Sequence, residues 1–168
     1  MSRRIANIGM LTALAMIFSY VEMLIPINFG IPGVKLGIAN LVIVVGLYMM
    51  REKDVLIISL LRIILMSCLF GNGISLLYSL SGGLLSFTVM AAAKRIKSFG
   101  ISGISIAGAV SHNAGQIIAA AIVIGNKSIF YYFPVLTVAG VITGLFIGIL
   151  SARILAGIKG YANFMVEG

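Results

Sequence analysis

The chain has 168 residues, of which 61% are hydrophobic and 10% charged, and its formal net charge is +8. Its mean hydropathy is +1.17, and a water-soluble domain of this length could not bury so much apolar surface. Composition therefore excludes an ordinary soluble protein and predicts one integral membrane domain over residues 1–168.

The first apolar stretch follows Arg3 and Arg4, as a secretory signal would. It is longer than the usual signal core of about 7–15 residues, and no small-x-small cleavage site ends it, so we expect a retained membrane helix. About 20 apolar residues are needed to cross a bilayer. Six spans are predicted, which makes the chain an all-α, multi-pass bundle. They lie near 5–25, 37–50, 54–71, 73–93, 102–125 and 130–156.

The basic residues lie between the apolar segments rather than along one face, which favours a role in membrane topology over nucleic-acid binding. With the N-terminus inside, the outer segments hold only Lys35 and Lys127 of them. The positive-inside rule then predicts that both termini are cytoplasmic. Cys68 is the single cysteine, and the single histidine has no partner at metal-ligand spacing, so neither a metal nor another cofactor is predicted.

The first outer loop, residues 26–37, contains Pro26, Pro32 and three glycines. It is either a loop folded back over a site or a plain surface turn. Small residues recur every fourth position at 140, 144 and 148, where helix packing is expected. Gly9 and Ala13 have the same spacing on span one, where they pack internally or dock a partner subunit.

Polar residues inside the spans are the candidate site. Arg62 lies about 12 Å beyond Asp54 along its helix, where an arginine costs at least about 2.5–3.5 kcal/mol on insertion scales. It either forms a structural ion pair with Glu22 or binds a ligand, and the second interpretation is favoured because intramembrane charges are usually functional.

His112 and Gln116 share one face of span five, whereas Asn113 points about 100° away. Lys35 and Asn40 are expected near the outer surface. These residues together with Glu22 and Arg62 predict an outward-facing pocket for an anionic or zwitterionic small molecule. The alternative is that the span-five side chains only hydrogen-bond neighbouring helices.

Five stretches carry a family resemblance: IPGVKLGIANLV at 31–42, LLRIILMSCLFG at 60–71, LYSLSGGLLS at 77–86, AGAVSHNAGQ at 107–116 and YYFPVLTVAGVITGLFIG at 131–148. They resemble, in the same order, the bacterial Gx transporter family, whose members are often labelled heptaprenyl diphosphate synthase component I. That family is similar to the substrate-binding S components of energy-coupling-factor transporters, which are six-helix proteins of the plasma membrane.

The resemblance implies an outward-facing site capped by the first loop. It also implies a transmembrane coupling subunit with a pair of ATPases, docked partly on small residues of helix one; here Gly9 and Ala13 occupy that place, without the usual alanine pair. Related proteins occur beside flavin-transfer and quinone-synthesis functions in electron-export systems, which implies a quinone or isoprenoid connection.

The family label, that of a prenyl diphosphate synthase component, conflicts with the number of aspartates in the chain. Prenyl diphosphate synthases hold magnesium through two aspartate-rich motifs, because hard cations need several carboxylate oxygens, and this chain has one aspartate, Asp54. It also lacks a GxxxxGK[ST] nucleotide-binding motif. We therefore expect a non-enzyme. It is either the ligand-binding subunit of a transporter or a membrane scaffold for a prenyl synthase or redox partner.

Overall fold

The computed structural model describes residues 2–24, 37–96 and 98–167, and this part of the chain is helical. The prediction of an all-α fold is confirmed. The helices are α1 (Ser2–Leu24), α2 (Ile38–Met49), α3 (Glu52–Phe70), α4 (Gly73–Lys94), α5 (Ile101–Ile124) and α6 (Phe133–Glu167), with a 3-10 segment at Lys127–Tyr132. The predicted boundaries hold within a few residues, except that α6 continues well past the predicted end at 156.

Glycine and asparagine separate the helices. Gly37, before α2, and Gly125, after α5, have positive φ values of 72° and 69°, which side chains other than glycine rarely adopt. Between α3 and α4, the Asn72 side chain accepts a hydrogen bond from the backbone N–H of Ser75 at 2.8 Å. That cap satisfies one of the free amides of the first turn, so two helices follow each other across only two residues.

The helices form a membrane bundle. Within the described residues, four segments are long and apolar enough to cross a bilayer: Arg4–Leu24, Gly73–Lys94, Ile101–Ile124 and Lys127–Ile158. Helix α3 has 19 residues but carries Glu52, Lys53, Asp54 and Arg62. Helix α2 has 12 residues and covers about 18 Å, which is less than the roughly 30 Å of a hydrocarbon core.

The packing order of the helices is a ring: α1, α3, α4, α5, α6, α2 and back to α1. Helix α2 also contacts α3 and α5, and every residue from Leu41 to Leu47 is buried. A helix that is apolar all round belongs inside a protein or a membrane. In this bundle, α2 is therefore a largely enclosed member of the ring.

One end of the bundle carries most of the described charges, and we call it the basic end. It is where α1, α3 and α5 begin. Arg4 pairs with Asp54 there, and Arg95 lies 3.2 Å from Glu52. The main apolar cluster fills the bundle just above these pairs and includes Leu47, Val55, Ile58, Met90 and Ile104. A dense apolar layer therefore separates the basic end from the middle of the bundle.

Glycines set the distance between α5 and α6. A Cβ added at Gly144 would lie 2.6 Å from Ile106 Cα, and one added at Gly148 would lie 2.5 Å from Ser102 Cα. Neither contact is sterically possible, so both positions require glycine for this close approach. The packing interpretation of the 140, 144 and 148 stripe is confirmed.

Candidate ligand-binding site

Two adjoining cavities lie between the helices, on the side of the apolar layer that faces away from the basic end. The inner cavity, of about 60 Å³, lies between α1, α2, α3, α5 and α6. The outer cavity, of about 130 Å³, extends along α3 and α4 to the C-terminal end of α3. The residues that line both are Glu22, Arg62, His112 and Gln116. Four predicted site residues, contributed by three helices, therefore converge on one place.

Arg62 lies in the middle of α3, about 15 Å from its first residue and about 12 Å from its last. Its Nη1 donates a hydrogen bond of 3.3 Å to Ser19 Oγ. Its Nε is enclosed and has no hydrogen-bond partner within the part of the chain that the structure describes. A guanidinium has five N–H donors in a rigid planar fork that fits carboxylates and phosphates. Arg62 lines both cavities, and its guanidinium has more N–H donors than its bond to Ser19 uses.

The predicted ion pair between Arg62 and Glu22 is not formed. Glu22 instead accepts a hydrogen bond from the backbone N–H of Gly37, the residue before α2. No oxygen of Glu22 lies within 4.0 Å of a nitrogen of Arg62, both being described residues. The two charges attract each other only at longer range. The ion-pair alternative was wrong because an orphan amide at a helix start competes for the same carboxylate.

His112 and Gln116 are positioned by a close crossing of α4 and α5. A Cβ on Gly82 would lie 2.8 Å from the His112 carbonyl oxygen and 2.9 Å from Gln116 Cγ. On the facing helix, a Cβ on Gly115 would lie 2.6 Å from the Ser81 carbonyl oxygen. Glycines on both helices thus let α5 approach closely, and the His112–Gln116 face lines the cavities as the sequence predicted.

Asn113 and Asn40 reach the inner cavity only. The side-chain amide of Asn113 donates a 2.7 Å hydrogen bond to the Leu136 carbonyl oxygen on α6, so part of its role is to hold two helices together. Asn40 lies in the first turn of α2 and lines the cavity beside Gly37. The sequence predicted Asn40 near the outer surface, and the structure places it at the inner cavity.

Two hydroxyl residues were missed by the sequence analysis. Ser19 accepts the Arg62 hydrogen bond, and Thr143 lines the inner cavity from α6. Ser19 lies three residues before Glu22, which places both on one face of α1, so that spacing was the available signal. Thr143 lies between Gly140 and Gly144 of the glycine stripe, and no comparable spacing marks it.

Several predicted residues do not form part of this geometry. Lys35 and loop residues 26–36 lie outside the described residues. Gly9 and Ala13 are exposed, and nothing lies within 4 Å of a Cβ added at Gly9. Their face of α1 is therefore directed away from the bundle. Among the described residues, no three His, Cys, Asp or Glu side chains lie together as a metal site would require.

Comparison with known proteins gives one match. The family described as heptaprenyl diphosphate synthase component I matches residues 11–154 of the chain. The matched range includes every described cavity residue named above. No curated protein and no solved structure matches the chain.

Proposed function

Because this chain belongs to the heptaprenyl diphosphate synthase component I family, we propose that it is a non-catalytic membrane subunit that binds a small anionic or zwitterionic ligand. It serves as the substrate-binding subunit of an energy-coupling-factor-like transporter. The ligand is isoprenoid- or quinone-related, or another small anion. It enters from outside and is released inward by an energising module.

The observation that carries this proposal is the guanidinium of Arg62, whose Nε has no partner among the described residues. Placing an arginine at mid-membrane without a neutralising partner is costly. An anionic ligand in the cavities would supply the missing acceptors. Glu22 is near enough to attract a positive group on a zwitterionic ligand, and Asn40, His112 and Gln116 would supply further hydrogen bonds.

Membrane topology supports an outside entrance. Arg4, Arg51, Lys53, Lys94 and Arg95 lie at the basic end, which the positive-inside rule assigns to the cytoplasm of a bacterial plasma membrane. The outer cavity reaches Phe70 and Gly71, at the opposite end of α3. Both termini are then cytoplasmic, and Gly9 and Ala13 present an open face of α1 on which a coupling subunit would dock.

The family description favours a second candidate, a membrane scaffold for a prenyl diphosphate synthase or a redox protein. The chain has one aspartate, and Asp54 is paired with Arg4. It is therefore not available to hold magnesium with a substrate diphosphate. On this alternative, catalysis belongs to a partner chain and the present chain supplies the membrane attachment.

Binding of inorganic diphosphate to the purified protein in lipid nanodiscs, measured by titration calorimetry, tests the site. We expect Arg62→Gln to weaken binding about 10- to 150-fold, because a hydrogen bond to a charged group contributes about 1.5–3 kcal/mol. Arg51→Gln, which removes an exposed arginine of the basic end, is the matched control and leaves affinity unchanged. Equal affinity of the two variants, or no binding by the unmodified protein, contradicts the proposed site.

Co-purification separates the two candidate functions. The tagged chain is extracted from its own membranes in mild detergent, and the proteins retained with it are identified by mass spectrometry. A transporter subunit retains a membrane coupling protein and ATPases. A scaffold retains a prenyl synthase or redox protein and no ATPase.

A further inference from the structure

The outer cavity has two chemically different walls. On one side lie Met23 of α1 and Met66 and Phe70 of α3. Met23 and Phe70 are 49% and 50% exposed, and the Phe70 ring packs on one side against the Tyr20 ring, with centroids 5.2 Å apart. These three side chains form an apolar wall beside a cavity whose deep end is polar.

The opposite wall carries hydroxyl groups from α4. Ser75 and Ser79 line the cavity one helical turn apart. Ser81, on another face of the same helix, satisfies its hydroxyl by donating to the Leu77 carbonyl oxygen. In the described structure, the hydroxyls of Ser75 and Ser79 make no such bond. They remain available to a group inside the cavity.

We propose that the ligand is a planar aromatic acid, which rests on the proposed function of the same site in binding an anion. Its carboxylate contacts Arg62, and its ring lies in the outer cavity between the apolar wall and the hydroxyl wall. Methionine sulfur and the phenylalanine ring make favourable contacts with an aromatic ring. Polar substituents on the ring edge bond to Ser75 and Ser79.

Wall chemistry favours a ring over a long chain. The outer cavity, of about 130 Å³, is well above the roughly 10–15 Å³ that one water needs, so it can hold part of an organic ligand. A flexible hydrocarbon chain has no polar edge, so it would cover the serine hydroxyls without bonding to them, at a cost in free energy.

Four probes test the inference by titration calorimetry in nanodiscs: acetate, geranate, 1-naphthoate and 6-hydroxy-1-naphthoate. All are carboxylates, and geranate and 1-naphthoate have similar carbon numbers. We expect 1-naphthoate to bind at least tenfold tighter than acetate and tighter than geranate, and the hydroxylated ring to bind tighter still.

Substitution of the apolar wall provides the second measurement. Met66→Ser should remove most of the advantage of 1-naphthoate over acetate without changing acetate affinity. Met10→Ser, which alters a methionine that is 65% exposed on α1 and lines neither cavity, should leave both affinities unchanged. If Met66→Ser fails to fold, Ser79→Ala replaces it and should reduce the advantage of the hydroxylated ring alone.

The measurements distinguish a failure of the ring inference from a failure of the proposed function. If geranate binds as tightly as 1-naphthoate or tighter, the ring inference is overturned, and anion binding at Arg62 stands. If the four carboxylates bind equally and Arg62→Gln weakens them all, the outer cavity does not select a ring, and the proposed function again stands. If no carboxylate and no diphosphate binds, both proposals are wrong.

Discussion

At the scale of single residues, the hydrogen bonds already made by each side chain distinguish the groups that can bind a ligand from the groups that hold helices together. Among the described residues, the Arg62 guanidinium has one hydrogen bond, of 3.3 Å, to Ser19, and it lines both cavities. Asn113, by contrast, donates at 2.7 Å to a backbone carbonyl on α6. Both residues are polar and lie within membrane helices, so residue type alone does not distinguish them.

Paired variants on α5 test that distinction. We expect Asn113→Ala to reduce stability by about 0.6 kcal/mol, a typical value for a hydrogen bond between membrane helices, and so to lower the melting temperature. Gln116→Ala should weaken anion binding more and lower the melting temperature less. Thermal unfolding and calorimetric titration of both proteins provide the comparison. The opposite ranking would assign Asn113 to the ligand and Gln116 to packing.

At the scale of helices, glycine determines how closely α5 approaches its neighbours and therefore where His112 and Gln116 lie. The facing pair Gly82 and Gly115 brings α4 against α5, while Gly144 and Gly148 bring α6 against the other side. Helix α5 is held between two close contacts. Its polar face consequently has a fixed position relative to Arg62 on α3.

Substitution of Gly82 by alanine tests this positioning. The new Cβ would lie 2.8 Å from the His112 carbonyl oxygen and 3.0 Å from His112 Nε2, so α4 and α5 must move apart. We expect a lower melting temperature and weaker anion binding. Gly9→Ala is the control, because its Cβ meets open space and alanine is the better helix former. A Gly82→Ala protein with unchanged stability and affinity would show that the close crossing does not position the site.

Local sequence patterns predicted the helices and the residues that share a helix face, but not the contacts between helices. The lengths of the apolar stretches predicted the six helices. The shared face of His112 and Gln116 followed from their spacing of four residues on a helix. The partner of Glu22 did not follow, because the N–H of Gly37 becomes available to it only when α1 and α2 are packed together. Thr143 was missed for the same reason, since the inner cavity exists only where five helices meet.

At the scale of the whole molecule, charge and polarity divide the bundle into layers. The basic end carries the ion pairs of Arg4 with Asp54 and Arg95 with Glu52, and the apolar cluster lies above it. The cavities lie above that cluster. This arrangement is what a site reached from the end opposite the basic end requires.

Labelling with a membrane-impermeant maleimide in intact cells tests the orientation. In a Cys68→Ser background, Ser128→Cys should react, because Ser128 is exposed on the 3-10 segment between α5 and α6. Ser98→Cys, exposed beside the basic end of α4, should react only after the cells are opened. Reaction of Ser98→Cys in intact cells would invert the proposed topology.

The burial of α2 has a consequence for how the protein is made. Helix α2 leaves the ribosome early, yet its sides are covered by α1, α3, α5 and α6, and α6 is synthesised last. Until α6 is made, α2 lacks one of its final neighbours. It has 12 residues and is about 18 Å long, which is too short to cross the bilayer alone. Thr143 of α6 lines the inner cavity, whereas the described lining of the outer cavity comes from α1, α3, α4, α5 and Gly71. The inner cavity is therefore complete only after α6 has packed against α2, and the outer cavity does not depend on that step.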